Sequence, residues 1–414
     1  MLPNVSKLSI GAPGDAGEPS AKRSKPSLKV EVLLKEDNDY EFQHAALRGD
    51  RLVRQMLLES RGLGDGLPMG KIDVHVLDDD SCTRKWSQET PQELSSVAIL
   101  GNNAAYVLYG QLNGQSNTLH WLDFEQQGPP MVYSKPSSFK APEIERTQKT
   151  ALCLGDSFLI EYLKSKASAS VYWHTLGNGE PGVELQVPES TDAKVQHVFF
   201  DEQQVYIHYC TPCTELAGYA GRSFSKHFLC EATGAAIGGN VELCTVEDKV
   251  HSPPFVMQVK ENRAVCVIVP QHGTEQQEVH EWQSQPLYDD DEDEVDYTRE
   301  APEEYGGGTT ALLFVRNLKT FETTPTWPLA ALAPSKGRRI EGCVGVDIAG
   351  DHAAIATKST VVLFDIRAGQ VLGSFSPFGQ SPSHTLSAIV GYTKDEGLVF
   401  VDDGGNVRML TYNL

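Results

Sequence analysis

"VVLFDIRAGQVLGSF" (361–375) decides how the rest of the chain is read. Val361, Val362, Leu363, Phe364 and Ile366 form a compact apolar run, and Asp365 interrupts it. Ala368-Gly369 supplies a turn, after which Val371, Leu372 and Phe375 resume the apolar pattern. β-Branched and aromatic residues on both sides of a glycine turn spell a β-hairpin. Whether this hairpin stands alone or is half of a repeating four-stranded unit determines the fold.

Outward from it, similar units recur. Each has an apolar strand, a Gly/Asn/Asp turn, a second apolar strand, a third that often pairs an aromatic with an acid ("WLDF", "LFDI"), and a weaker fourth. The units begin near 95, 150, 194, 253, 341 and 386. That spacing suits four-stranded propeller blades, except for one overlong unit that holds an acidic insert. The reading is an all-β chain, a β-propeller of six or seven four-stranded blades, with room for a seventh near 29–70 or in the overlong unit. The last unit has three strands before Leu414, and an open ring would leave a bare sheet edge. "KIDVHVL" (71–77) alternates cleanly ahead of the first full unit, so it is the expected N-terminal strand that closes the ring. "KVEVLL" from Lys29 reads as a further strand with no assigned place.

Two segments precede the repeats. Residues 1–37 are rich in Ser, Gly and Pro and lack periodicity, so they are expected to be a disordered tail. In "DYEFQHAALRGDRLVRQMLLESRGLG" (39–64), Phe42, Ala46, Val53, Met56 and Leu57 recur near helical spacing and Gly62 supplies a stop. A short helix is predicted there, giving a helical extension over 38–70 and a propeller over 71–414 with an acidic insert at 285–308. The "RGD" at 48–50 is read as coincidence.

"STVVLFDIRAGQVLGSF" (359–375) resembles the third-strand, turn, fourth-strand signature of WD40-type propellers. The resemblance covers about 70–414 in strand plan. It departs from the family in having no Gly-His dipeptide before a blade and no Trp-Asp ending. "AGQVLGSF" is also similar to the repeat of quinoprotein-type propellers.

The 414 residues carry a formal charge of −21, which opposes nonspecific binding to nucleic acid or anionic membrane and favours basic partners. No apolar run reaches the length of a membrane span. The first thirty residues lack the apolar core of a secretory signal, so nucleus or cytoplasm is the expected compartment. "AKRSKP" (21–26) is similar to a basic nuclear-import signal. The eight cysteines are scattered, as expected of buried thiols in a reducing compartment.

Chemistry has few footholds. Cys210-Thr-Pro-Cys213 and His227-Phe-Leu-Cys230 have the spacing of a tetrahedral zinc site. Against that, Cys210 and Cys230 sit within strands, where alternate side chains fill the gap between blades. The acidic insert "YDDDEDEVDYTREAPEEYGGG" (288–308) carries ten carboxylates and one Arg within 289–304. Self-repulsion and the shortage of apolar residues should keep it disordered. It is either a solvated loop or an electrostatic clamp for a basic partner, with Asp289, Asp290, Asp291, Glu292, Asp293, Glu294 and Asp296 as candidate partner-binding residues. Calcium binding is disfavoured, since the run lacks the Gly and later Glu of an EF-hand loop. Motifs for a nucleophile elbow, a zinc protease or a phosphate loop do not occur. "LGDS" (154–157) and "VDDGGN" (401–406) read as strand turns, and His280 and Glu281 stand alone.

No catalytic residue or cofactor is assigned. The expectation is a noncatalytic protein–protein interaction scaffold, or adaptor subunit of a larger complex, with the acidic loop for a basic surface or tail. The alternative is a propeller enzyme, or an enzyme's accessory subunit, with its site in the central channel. Three or more carboxylates, His or Arg converging on that channel would favour the alternative.

Overall fold

The computed structural model describes residues 27–35, 39–58, 70–78, 81–90, 94–100, 103–108, 118–124, 130–139, 150–163, 170–176, 182–188, 192–214, 223–234, 236–247, 255–268, 311–329, 343–378, 385–393 and 397–413. Every regular element among them is a strand. The chain opens with β1 (Ser27–Leu34). Blade 1 then comprises β2 (Tyr40–Arg48), β3 (Arg51–Leu58), β4 (Gly70–Asp78) and β5 (Ser81–Thr90). Blade 2 is β6 (Leu94–Leu100), β7 (Asn103–Leu108), β8 (Thr118–Asp123) and β9 (Met131–Pro136). Blade 3 contains β10 (Thr150–Leu154), β11 (Phe158–Leu163), β12 (Ser170–Thr175) and β13 (Val183–Gln186). Blade 4 has β14 (Lys194–Asp201), β15 (Gln204–Pro212), β16 (Phe224–Thr233) and the long β17 (Ala236–Glu247). Blade 5 runs through β18 (Phe255–Lys260), β19 (Arg263–Ile268), β20 (Leu312–Asn317) and a two-residue β21 (Trp327–Pro328). Blade 6 is β22 (Cys343–Ala349), β23 (His352–Thr357), β24 (Val361–Asp365) and β25 (Gln370–Phe375). The last three strands are β26 (Leu386–Tyr392), β27 (Leu398–Asp402) and β28 (Val407–Asn413), and β1 completes their sheet as the fourth strand beside β28.

The 361–375 hairpin is therefore the third and fourth strands of blade 6. Its turn is held by Asp365, whose Oδ1 accepts the Ala368 N–H at 2.8 Å. Gly369 takes a φ of +65°, which suits a residue without Cβ.

Seven apolar clusters fill the seven gaps between neighbouring blades. Val53 and Ile72 meet Val97 and Tyr106 between blades 1 and 2; Val107 and Leu119 meet Leu152 and Leu159 between 2 and 3. Ile160 and Val171 meet Val195 and Ile207, and Phe199 and Leu229 meet Phe255 and Cys266. Val265 and Leu313 meet Ile348 and Phe364, and Ala354 and Leu363 meet Leu398 and Phe400. Val399 and Val407 then meet Leu52 and Leu77, which returns the ring to blade 1. Each fully buried Val, Leu, Ile or Phe contributes about 1.5–3 kcal/mol, so every interface is held by its own core.

Three sequence readings are corrected. The segment 39–64 is not helical where it is described: β2 and β3 form a hairpin in which Arg48 pairs with Arg51 around Gly49, at φ +59°. The blade count is seven, within the six or seven expected, but the propeller begins before residue 71, with β2 and β3 in its first blade. The closing strand is β1, in antiparallel register from Ser27↔Asn413 to Leu34↔Val407. "KIDVHVL" is instead the third strand of blade 1, buried along Gly70–Leu77 between β3 and β5. Its polar positions, Asp73 and His75, are buried against blade partners. The tail 1–26 and the insert 285–308 lie outside the described residues.

Candidate functional site

The first strands of neighbouring blades adjoin one another all the way round, from β2 beside β6 to β26 beside β2. They form the inner ring, and the polar side chains on them are the ones that decide what the central channel can do. Asp347 on β22 is the hub. Its Oδ2 accepts the Tyr392 N–H of blade 7 at 2.7 Å, and its Oδ1 accepts the Gln258 amide of blade 5 at 3.2 Å. Lys260 Nζ, also from blade 5, lies 3.5 Å from Oδ2. One carboxylate thus joins three blades. Gly391 makes room for it, since a Cβ there would come within 3.2 Å of Asp347 Oδ2 at a φ of +147°. Arg48, at the end of β2, donates to the Phe200 carbonyl on β14, a strand three blades away. Its side chain therefore spans the ring.

The turns after the inner strands repeat this tethering. Asp201 Oδ2 accepts the Asn262 N–H at 2.7 Å, tying blade 4 to blade 5. Glu261 Oε1 accepts the Gly350 N–H at 3.1 Å, tying blade 5 to blade 6. Arg263 reinforces the second link through Glu261 at 2.6 Å and Asp351 at 3.4 Å. Where such groups are buried, each bond matters most for what its loss would leave unpaired.

Two buried clusters lie further out. On blade 1, Arg54 Nη2 donates to Asp73 Oδ2 at 3.1 Å and Ser87 Oγ donates to Oδ1 at 2.5 Å. Burial opposes ionisation of Asp73, but the His75 and Ser87 side chains and the Lys71 and Arg54 charges outweigh it. The carboxyl is held well below its ordinary range. At blade 3, Glu161 accepts the Ser137 hydroxyl and the Ser138 N–H, the latter at 3.0 Å. His174 Nε2 lies 3.2 Å from Glu161 Oε2 and 3.5 Å from Ser138 Oγ. The residue types are those of a nucleophile relay, yet the geometry is not. A relay needs the hydroxyl and the carboxylate on opposite ring nitrogens; here both meet Nε2, while Nδ1 is buried without a partner. The cluster clamps the segment after β9 onto blade 3. Neither cluster had a sequence motif, because its members come from separate strands.

The four metal candidates are divided by the pleat. Cys210 and His227 are direct partners across β15 and β16, but Cys230 faces Ile207 three residues on. Cys230 belongs to the core between blades 3 and 4, whereas the His227 ring packs against Phe255 of blade 5 at 4.6 Å. His227 Nδ1 is hydrogen-bonded to His208 Nε2 at 2.9 Å. Cys213 lies past the end of β15, its N–H bonded to the Phe224 carbonyl. Among the described residues no three His, Cys, Asp or Glu side chains gather as metal ligands. Burial pushes the Cys230 thiol up to about 12 and His227 down to about 3, which favours the neutral form of each. The carboxylates Asp289–Glu294 and Asp296 lie outside the described residues. What is described is their anchorage: Ile268 and Leu312, which flank the segment, pair with each other across β19 and β20.

The fold is a seven-bladed β-propeller of four-stranded antiparallel sheets. No family model and no curated protein matches the sequence. Among solved structures, Kluyveromyces lactis Hsv2 is similar at 12% identity and a TM-score of 0.49, covering 91% of this chain and 98% of that one. Saccharomyces cerevisiae Sqt1 is similar at 10% identity and a TM-score of 0.45, covering 93% and 98%.

Proposed function

We propose that this chain is a noncatalytic interaction scaffold of the nucleus or cytoplasm, a rigid ring whose rim holds other proteins. The observation that carries this reading is the commitment of the inner-ring polar groups to the blades themselves. Asp347, Asp201 and Glu261 each accept a backbone N–H from the next blade, and Arg48 reaches across the ring to a carbonyl. Groups held this way stiffen the scaffold and are poorly placed to act on a substrate. The cluster on Asp347 brings together one carboxylate, one Lys and one Gln, short of the convergence that favours an enzyme.

The acidic run 289–304 is the proposed contact for a basic surface or tail. Its ten carboxylates against one Arg would steer a cationic partner by long-range attraction that salt screens. The test is binding of a lysine-rich peptide to the full chain and to a variant lacking 289–304, at low and at high salt. Binding should weaken steeply with salt and with the deletion. Equal binding by both proteins at both salt levels refutes the proposal.

A further inference from the structure

Blade 5 ends in a strand of only two residues, Trp327–Pro328, which pairs with Leu312 and Leu313 alone. The rest of β20 is edged by the irregular segment 322–324, through the Arg316–Thr323 bridge, the Asn317 N–H to the Glu322 carbonyl at 2.9 Å and the Thr324 N–H to the Val315 carbonyl at 2.8 Å. The neighbouring β17 of blade 4 is twelve residues long. A groove of roughly 370 Å³ lies between the two blades. Leu229, Leu243 and Leu318 give it an apolar lining, and Phe321 is among its wall residues. Phe321 is 53% exposed and has a φ of +60°, a left-handed conformation uncommon for a bulky residue.

Two polar groups flank this apolar lining. The Nε of Arg316 is buried without a hydrogen-bond partner, although Nη1 donates to the Glu242 carbonyl at 3.3 Å. Glu231 supplies a carboxylate. At Gly239 the groove is bare, since a Cβ built there would meet nothing within 4 Å. Gly238 and Gly239 lie where the β16–β17 register slips between Cys230↔Asn240 and Ala232↔Ile237. A glycine bulge in an outer strand is where another backbone can approach closely.

We propose that this groove binds an extended peptide segment of a partner protein, with a large apolar side chain seated among the three leucines. Arg316 donates to a peptide carbonyl and Glu231 accepts a peptide N–H. The residues that line this site lie outside 289–304, and its occupant is recognised by an apolar side chain and bare backbone rather than by positive charge.

The probes are short fluorescein-labelled peptides of Gly and Ser with one central Trp, Phe, Leu or Ala, titrated into the full chain by anisotropy. The Trp, Phe and Leu peptides should bind more tightly than the Ala peptide. Gly239→Leu fills open space without a clash, so it should stay folded and weaken binding about tenfold or more. Arg316→Gln, which removes the unpartnered donor, should weaken it by a similar factor. Deleting 289–304 should leave binding unchanged, so this inference and the basic-partner reading fail separately. The proposal is overturned if no apolar peptide outbinds the Ala peptide, if a folded Gly239→Leu chain binds as well as the native one, or if binding requires 289–304. Sedimentation showing a dimer abolished by Gly239→Leu would assign the groove to a second copy and overturn it as well.

Discussion

Acid should destabilise this protein through the histidine pair between blades 4 and 5. His227 is buried, its ring packs on Phe255, and its one bonded nitrogen meets His208 at 2.9 Å. Burial pulls its pKa from the ordinary 6.5 to about 3. The folded chain therefore keeps His227 neutral in the range where the unfolded chain takes up a proton. Stability from this group is fully present above 6.5 and is lost as the pH falls from 6.5 towards 3. Each unit in that window costs ~1.4 kcal/mol, so the loss is about 2 kcal/mol at pH ~5 and up to ~5 kcal/mol by pH ~3. Against a typical total of about 5–15 kcal/mol this is a large share. The comparison is urea unfolding of native chain and His227→Gln at pH ~7.5 and pH ~5. Gln keeps an amide within reach of His208 but does not titrate, and the carboxylates common to both proteins cancel in the difference. The native chain should lose about 2 kcal/mol more than the variant over this interval. PH dependences that agree within ~0.5 kcal/mol would refute burial of a neutral His227.

Three further outcomes are expected. Arg54→Ala leaves the Asp73 carboxylate buried without its guanidinium partner and should cost about 3–5 kcal/mol in denaturant unfolding, whereas Arg54→Leu combined with Asp73→Leu should cost clearly less. Burial pushes the thiols of Cys153 and Cys230 up to about 12 and that of Cys82 up to about 11; a thiol reagent at pH ~8 should label these three slowly in the folded chain and rapidly in denaturant. Removal of residues 1–34 strips β1 from β28, and light scattering should then detect association through the bared edge, while removal of 1–26 should not produce it.

The legible part of the fold was the part whose strands follow the simple pattern of an apolar run, a turn and another apolar run. Units placed near 95, 150, 194, 253, 341 and 386 begin at Leu94, Thr150, Lys194, Phe255, Cys343 and Leu386. Blade 1 was misread because its middle strands are buried on both sides. Leu52 faces blade 7 and Val53 faces blade 2, so the apolar residues of β3 do not alternate. Arg54 and Gln55 are buried among them, and together they imitate the polar face of a helix. In β4, Asp73 and His75 imitate the solvent side of an edge strand, although Arg54 and Ser87 make the Asp73 burial tolerable. The true closing strand carries the half-exposed residue that an outer position allows, Val32 at 45%. Of the candidate site, the metal spacing was visible in sequence but the pleat that separates Cys230 from His227 was not. The Asp347 hub left no linear trace, since its partners come from 258, 260 and 392.

Blade 5 gathers both departures from regularity, and its core explains how the ring tolerates them. Val265, Val267, Leu313 and Val315 all pack against blade 6, so the strands that carry the interface are intact. The connection from Ile268 to Leu312 is closed by their own pairing. Even treated as a fully flexible chain, lengthening a loop tenfold, from about four residues to about forty, costs only ~2 kcal/mol. At the outer edge, the shortening of β21 forfeits regular pairing next to β20 but leaves Leu329 buried as a plug in the same core. Each change is cheap because it lies at an end or an edge, outside the strands that hold the neighbours. An acidic tether on blade 5 and an apolar groove between blades 4 and 5 would let the ring hold two partners of unlike chemistry at once. A chain that binds the lysine-rich peptide and the apolar peptide independently, with neither displacing the other, is what this arrangement requires; competition between them would mean a single shared surface.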